Sequence, residues 1–213
     1  MKPDTKRRLL DGTLETVRRG GIAGVSARSI AAAAGVNQAL IFYHFGSVEE
    51  LLEAACRQAT EMRVALYRDR FAAVDSLGRL LAVGRELHEA ERAAGNVTVL
   101  AQLLAGAPGQ PRLAAAVAAS LDAWAAEIEA VLGRVLDGSP LAEVADVPGL
   151  ARAVSASFVG IELYEGVDPQ AAAAALDALD QLSVLVDVFD ELGPAARRAL
   201  AARTRKVRRA RTP

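Results

Sequence analysis

Hydrophobic positions recur at helical spacing along most of the chain, and no segment shows the strict alternation that indicates a β-strand. Segments rich in glycine and proline interrupt this pattern at short intervals. Three short helical segments come first, and longer ones follow from residue 48. The pattern predicts an all-α fold with a small N-terminal domain, residues 1–47, and a larger helical domain, residues 48–213. We call these two parts the head and the body.

Polar and glycine residues mark the ends of the predicted helices. Asp4, Ser26 and Asn37 can each cap one of the three short helices, because a short polar side chain accepts a hydrogen bond from a free backbone N–H. Gly35 ends the second helix and Gly46 ends the third, since glycine adopts the left-handed conformation common at helix ends. The longer helices are predicted near residues 48–72, 76–94, 96–106, 111–137, 148–165, 168–192 and 194–209.

The second and third helices of the head are predicted from the segment SARSIAAAAGVNQALIFYHF. Gly35 permits a tight turn between them, and the small side chains of Ala31 and Ala34 allow the two helices to approach closely. Ile41 and Phe45 lie one turn apart and share the side that faces the core. These features predict a helix-turn-helix motif, in which the N-terminal tip of the third helix enters the major groove of DNA.

Lysine and arginine are concentrated at the two ends of the chain. Residues 1–47 contain seven Lys or Arg against three Asp or Glu, whereas residues 48–202 contain twelve against twenty-three. Residues 203–213 contain six basic residues and no acid, and we expect the end of this tail to be mobile. Solvation or pairing with the acidic body is the expected role of the tail, and transient contact with DNA is the alternative. A basic head on an acidic body is expected if only the head contacts a polyanion, although an uneven surface without function gives the same count.

The residue types of the head follow a known order. A glycine precedes a serine-capped helix, and an Ile-Ala pair, Ala-Gly-Val, a polar cap and an aromatic-aromatic-His-Phe ending follow. In this order the segment resembles the tetracycline-repressor (TetR) family of transcriptional regulators over about residues 8–55, and elsewhere only the helical layout is similar. The matching residues are Gly24, Ser26, Ile30-Ala31, Ala34-Gly35-Val36, Asn37 and Phe42-Tyr43-His44-Phe45.

The resemblance implies a role in DNA binding for the matched positions. Arg28 would contact a base or phosphate, Gln38 a base edge, and Ala39 a base such as the thymine methyl. Tyr43 and His44 would hold phosphates and set the register. The two helix caps would also touch phosphate, because helix N-termini favour anions. The expected DNA-binding residues are Ser26, Arg28, Asn37, Gln38, Ala39, Tyr43 and His44.

Each of these positions also has a simpler explanation. His44 can be a structural histidine, Tyr43 and Gln38 can be solvated surface residues, and Arg28 can pair with an acidic side chain. Phe42 stands where the family often has tyrosine, so a hydroxyl contact with phosphate is absent there.

Apolar stripes on the body helices predict a dimer interface and a ligand pocket. In the family the last two long helices form a four-helix interface between two subunits, and the other body helices enclose a small molecule, here expected to be apolar. Ordinary core packing explains the same stripes, and both explanations stay open. The expected interface residues are Leu150, Val154, Ile161, Leu182, Leu185 and Phe189. The expected pocket residues are Leu66, Leu103, Leu104, Trp124, Ile128 and Phe158.

Sequence signals of an enzyme are absent from the chain. It has no Gly-rich phosphate loop, nucleophile elbow or paired CxxC motif. His88, in the acidic segment GRELHEAE, is expected on a solvated face, with no second histidine nearby to form a metal site. Cys56, the sole cysteine, is expected to be a small buried residue. We predict no catalytic residue, no metal and no cofactor.

Neither a membrane span nor a signal peptide is evident, since no apolar run reaches about 20 residues and the N-terminus lacks an apolar core. We therefore expect a cytoplasmic protein without a membrane partner. The resemblance implies a repressor that binds a near-palindromic double-stranded operator as a homodimer and is released by a small apolar effector. The alternatives are a ligand-independent DNA-binding factor on the same fold, for architecture or cell division, and a helical enzyme or carrier without DNA function.

Overall fold

The computed structural model describes residues 4–137 and 145–190 and isolated positions beyond, with the backbone alone at residues 180 and 182–190. Within this part the chain forms nine α-helices and no strand, which confirms the all-α prediction. The helices are α1 (Thr5–Gly20), α2 (Ala27–Ala34), α3 (Ala39–Phe45), α4 (Val48–Ala72), α5 (Leu77–Ala93), α6 (Asn96–Gly106), α7 (Pro111–Val135), α8 (Val147–Glu165) and α9 (Pro169–Asp190).

The predicted caps are present at the helices of the head. The Asp4 side chain accepts a hydrogen bond from the backbone N–H of Lys6 at 3.3 Å. Ser26 and Ser29 form a reciprocal capping box, in which each hydroxyl accepts the backbone N–H of the other residue. Asn37 Oδ1 accepts the backbone N–H of Ala39 at 2.9 Å, so α3 begins where its capping residue predicts.

Proline residues and a capping aspartate mark the starts of helices in the body. Pro111 and Pro169 are the first residues of α7 and α9, where the missing N–H is not needed for a hydrogen bond. Asp168 accepts two backbone N–H groups of the first turn of α9, at 3.0 and 3.1 Å. Apart from isolated positions, the predicted helix at 194–209 and the basic tail lie outside the described residues. The side chains of Leu182, Leu185 and Phe189 lie outside them as well.

Contacts divide the chain into two compact units, which we describe separately. The first unit comprises Met1–Leu66 with Glu89–Ala123, and the second comprises Tyr67–His88 with Trp124–Pro213. The proposed domain boundary between residues 47 and 48 stays a prediction. No helix among those described is both long and apolar enough to cross a membrane.

The first unit contains two apolar clusters. One belongs to the head and brings together α1, α2, α3 and the start of α4 around buried side chains. The other joins the end of α1 to α4, α6 and α7, and it includes Cys56, which is buried as predicted. Burial raises the pKa of the Cys56 thiol, against a smaller lowering effect of its hydrogen bond with Ser120. The buried residues of the head cluster are Leu9, Ile30, Ala31, Ala34, Ile41 and Leu51.

The described residues of the second unit form an apolar cluster, built from the C-terminal part of α4 with α5, α7 and α8. Its aromatic side chains lie close together, with the ring of Trp124 6.1 Å from that of Tyr67 and 6.3 Å from that of Phe71. Arg134 donates to the carbonyl oxygen of Phe71 at 2.8 Å and so fastens the end of α7 to α4. The sole tryptophan of the chain therefore reports on the core of this unit.

Candidate nucleic-acid interface

The third helix exposes aromatic side chains that the core does not use. Ile41 is fully buried and Phe45 packs against the head cluster, as their spacing predicts. Tyr43 is 80% exposed and Phe42 is 52% exposed, although large aromatic side chains usually lie inside a protein. One side of α3 thus holds the helix in the head, and the opposite side is free to contact another molecule.

The other expected DNA-binding residues lie on the exposed surface of the same helices. Arg28 is exposed on the first turn of α2, and within the described part of the chain no acidic side chain pairs with it. Gln38 and Ala39 are exposed at the N-terminal end of α3, next to the exposed capping residue Asn37. Ser26 is exposed as well, and its hydroxyl already accepts the N–H of its capping box.

His44 takes an intermediate position between core and surface. Its ring lies 4.9 Å from the ring of Tyr43 and 6.5 Å from that of Phe45, both in edge-on contacts. The ring contact with Tyr43 restricts the orientation of that side chain. His44 is therefore placed to steady the exposed tyrosine.

The turn between α2 and α3 is fixed by residues of α1. Gly35 has φ of 62°, in the left-handed region that glycine tolerates without strain, and it ends α2. The guanidinium of Arg8 donates to the carbonyl oxygens of Ala34 at 2.8 Å and Gly35 at 2.6 Å. In the sequence Arg8 is only one of the basic residues of the head, because no local pattern connects it with a turn 26 residues later.

Close contact between α1 and α2 depends on a second glycine that the sequence pattern does not single out. A Cβ added to Gly12 would lie 2.9 Å from both the Cβ and the backbone nitrogen of Ala34. Such distances are too short for ordinary contact, so only glycine allows α1 to pass this close to the end of α2. Gly12 and Arg8 lie one turn apart on α1 and both meet the end of α2.

The expected pocket residues divide between the two units. Leu103 is buried and Leu104 half-buried in the second cluster of the first unit. Leu66, in the same unit, is 68% exposed and belongs to neither cluster. The structure brings the other three together in the cluster of the second unit. These are Trp124, Ile128 and Phe158.

His88 is buried in the second unit, and the expectation of a solvated histidine is wrong. The residue is 6% exposed, and its Nε2 lies 2.7 Å from Glu165 Oε2 while its Nδ1 lies 3.5 Å from Glu162 Oε1. The ring of Phe158 meets the imidazole edge-on at 5.9 Å. The acidic segment around His88 suggests a surface, but Phe158, Glu162 and Glu165 of α8, a helix distant in the sequence, cover the ring.

The expected interface residues are described only on α8. Leu150 is exposed, whereas Val154 packs against the cluster of the second unit and Ile161 is half-buried. Their role in assembly stays a prediction. No group of three potential metal-binding side chains occurs among the residues that the structure describes.

Comparison with known proteins identifies the relatives of this chain. A family model described as bacterial regulatory proteins, tetR family, matches residues 9–55, which include the helix-turn-helix. The HTH-type transcriptional regulator BetI of Paraburkholderia phytofirmans is 30% identical over 99 residues, 46% of this chain and 51% of the relative. The chain thus spans about half the length of this curated relative.

Solved structures match over nearly their whole length. A member of the TetR family from Streptomyces coelicolor A3 is 30% identical and covers 85% of this chain and 99% of its own, with a TM-score of 0.61. The multidrug binding protein EbrR, solved in complex with proflavin, is 28% identical and covers 84% of this chain and 99% of its own, with a TM-score of 0.58. With its helix-turn-helix and its helical body both matched, the chain belongs to the TetR family of bacterial regulatory proteins.

Proposed function

We propose that this protein is a sequence-specific DNA-binding transcriptional regulator, with the head, residues 1–47, as the DNA-binding domain. The observation that carries the proposal is the exposed face of α2 and α3. It presents Arg28, Gln38 and Tyr43 to solvent while the opposite faces of both helices build the head cluster. A helix that leaves a tyrosine 80% exposed beside polar side chains at its tip has a surface suited to the major groove.

The exposed side chains divide into two groups by chemistry. Gln38 can form a bidentate contact with adenine, Arg28 can do so with guanine, and Ala39 can lie against a thymine methyl. Tyr43 and His44, further along α3, are suited to phosphate oxygens, which fix orientation without selecting a sequence. Ser26 and Asn37 add polar groups at the starts of the two helices. The basic excess of the head, against the acidic body, favours this approach to a polyanion.

The proposed active form is a homodimer. Two recognition helices then enter successive major grooves about 34–36 Å apart on a near-palindromic operator. Large apolar side chains exposed on α8, among them Leu150, Leu163 and Tyr164, support a contact with a second copy along this helix. The side chains expected to complete the seam on α9 are Leu182, Leu185 and Phe189.

We further propose that the protein is a cytoplasmic repressor released by a small, largely apolar effector. The similar multidrug binding protein EbrR was solved with proflavin, a planar aromatic compound, and the second unit here gathers Trp124, Tyr67 and Phe71 in one cluster. To weaken DNA binding 5–150-fold, the effector must prefer the released conformation by about 1–3 kcal/mol. Titration calorimetry with planar aromatic compounds tests this part, and a chain that binds DNA but none of them would favour a ligand-independent factor.

Selection from a pool of random-sequence duplexes tests the DNA-binding function. The full chain should enrich a near-palindromic site, because two identical recognition helices contact two equivalent half-sites. Recovery of the starting pool after repeated rounds at physiological salt would contradict the proposal. A chain with both Gln38→Ala and Tyr43→Ala is the control, and it should enrich a less defined site, more weakly than the unchanged chain.

A further inference from the structure

Arg8 occupies an unusual position for a basic residue of a DNA-binding head. It lies on α1, and a single nitrogen of its guanidinium, Nη2, contacts the carbonyl oxygens of Ala34 and Gly35 at 2.8 and 2.6 Å. Nη2 would also lie 3.0 Å from a Cβ added to Gly35, so the guanidinium rests directly on the turn. The charge of Arg8 is therefore directed at the protein backbone.

The two carbonyl groups need such a partner. The last carbonyls of a helix have no N–H from the helix itself, and the negative end of the helix dipole favours a cation there. The N–H groups that follow are already used, since Gly35 N–H bonds to Ala32 and Val36 N–H bonds to Ala31. Arg8 thus completes the end of α2 with a charged donor, which forms a stronger bond than a neutral one.

The same turn leads into α3, the helix that we propose enters the major groove. Only Val36 separates Gly35 from Asn37, and Asn37 caps α3 through its bond to the N–H of Ala39. Arg8 therefore holds one end of a short connection, and Asn37 fixes the other. Gly12, one turn further along α1, keeps Ala34 in direct contact with α1, so the end of α2 is held at two points.

We propose that Arg8 is a positioning residue for DNA recognition, which fixes the angle of α3 through the α2–α3 turn and neutralises no phosphate. The proposal deepens the proposed function and depends on it. It distinguishes Arg8 from Arg7, its neighbour on α1, which is exposed and forms an exposed pair with Asp11 at 3.8 Å. The two arginines make the same contribution to net charge, but only Arg8 contacts the turn.

Binding of the full chain to its selected site and to an unrelated duplex, each measured at several salt concentrations, tests the proposal. The variants are Arg8→Gln, Arg8→Lys and the matched control Arg7→Gln. Arg8→Gln should weaken binding to the selected site about tenfold or more and change unrelated-duplex binding far less, because a loose α3 loses base contacts first. Its slope of log affinity against log salt concentration, called the salt slope, should equal that of the wild type. Arg8→Lys should recover part of the lost selectivity, since an ammonium lacks the planar fork but keeps a charged donor.

Arg7→Gln should leave the ratio of selected to unrelated binding unchanged, and any loss should accompany a lower salt slope. If Arg8→Gln lowered the slope by about 1.8, which is about 0.9 for each of the two copies in the proposed dimer, with an unchanged ratio, Arg8 would be a phosphate contact and the proposal would be wrong. An equal loss on both duplexes that follows the folded fraction, measured by circular dichroism, would reduce Arg8 to a stabilising residue. Wild-type binding without selectivity would overturn the proposed function itself, whereas selective binding unaffected by Arg8→Gln would overturn only this inference.

Discussion

At Gly12 the helix α1 lies so close to Ala34 of α2 that a side chain has no room. Gly12→Ala should destabilise the head by about 1–3 kcal/mol, because the added Cβ overlaps the Cβ and nitrogen of Ala34 and forces the helices apart. Hydrogen exchange of peptides from α1 and α2 measures this local stability. Gly20→Ala, on the same helix with nothing within 4 Å, is the control and should be neutral or slightly stabilising. Equal protection in the two variants would show that the close contact is not needed.

Gln38 and Tyr43 lie on the same exposed face of α3 and should differ in what they contribute. Gln38→Ala should cost about 1–3 kcal/mol on the selected site and relax the preference at one base pair in each half-site, through lost base contacts. Tyr43→Phe should weaken binding to all duplexes alike, because the hydroxyl is expected on a phosphate. Affinity for a set of single-base variants of the site measures both effects. An unchanged base preference in Gln38→Ala, or an altered one in Tyr43→Phe, would refute the assigned roles.

Residue type and spacing along the sequence predict the helix caps and the buried side chain of the head. The caps Ser26 and Asn37 and the buried Ile41 follow from residue type and spacing within one or two helical turns, and the structure has them as predicted. Arg8 and Gly12 could not be predicted in this way. Their contacts join residues more than 20 positions apart, and only the packing of α1 on α2 decides which carbonyl or side chain they meet.

At the scale of helices, a buried histidine lies in the contact between α5 and α8. His88→Ala should destabilise the second unit by about 1–3 kcal/mol, because it removes the imidazole that Glu162, Glu165 and Phe158 all contact. Urea unfolding followed by the fluorescence of Trp124, which lies in the same cluster, reports this loss. Glu89→Ala, at an exposed neighbouring position, is the control. An equal midpoint for both variants would mean that the buried contacts add nothing to stability.

The boundaries of the helices were predictable and the pairing of their faces was not. Glycine, proline and capping residues mark the ends of α2, α7 and α9 in the sequence itself. The acidic segment around His88 predicts a solvated face, because local sequence cannot show which distant helix will cover it. Glu162 and Glu165 lie about one turn apart on α8, but nothing in this spacing indicates that both contact a buried histidine of α5.

At the scale of the whole molecule, assembly should depend on the last two helices. Phe189→Glu would place a charge in the proposed apolar seam and should give monomers or insoluble chain, since an unpaired buried charge is costly. Light scattering at micromolar concentration measures the mass. Ala173→Glu adds the same charge to an exposed position of α9 and should leave a dimer. A wild-type monomer under these conditions would exclude the proposed dimer.

The central claim is that the exposed face of α2 and α3 contacts DNA, and the three tyrosines of the chain test it directly. Tyr43 is exposed in the head and Tyr67 is buried, whereas Tyr164, exposed in the single chain, lies on the part of α8 that we propose contacts the second copy. Hydroxyl-radical oxidation of each tyrosine can be measured by mass spectrometry with and without the selected duplex. We expect the duplex to protect Tyr43 and to leave the oxidation of Tyr164 and the low oxidation of Tyr67 unchanged. Equal oxidation of Tyr43 in the presence of saturating duplex would contradict the proposed interface.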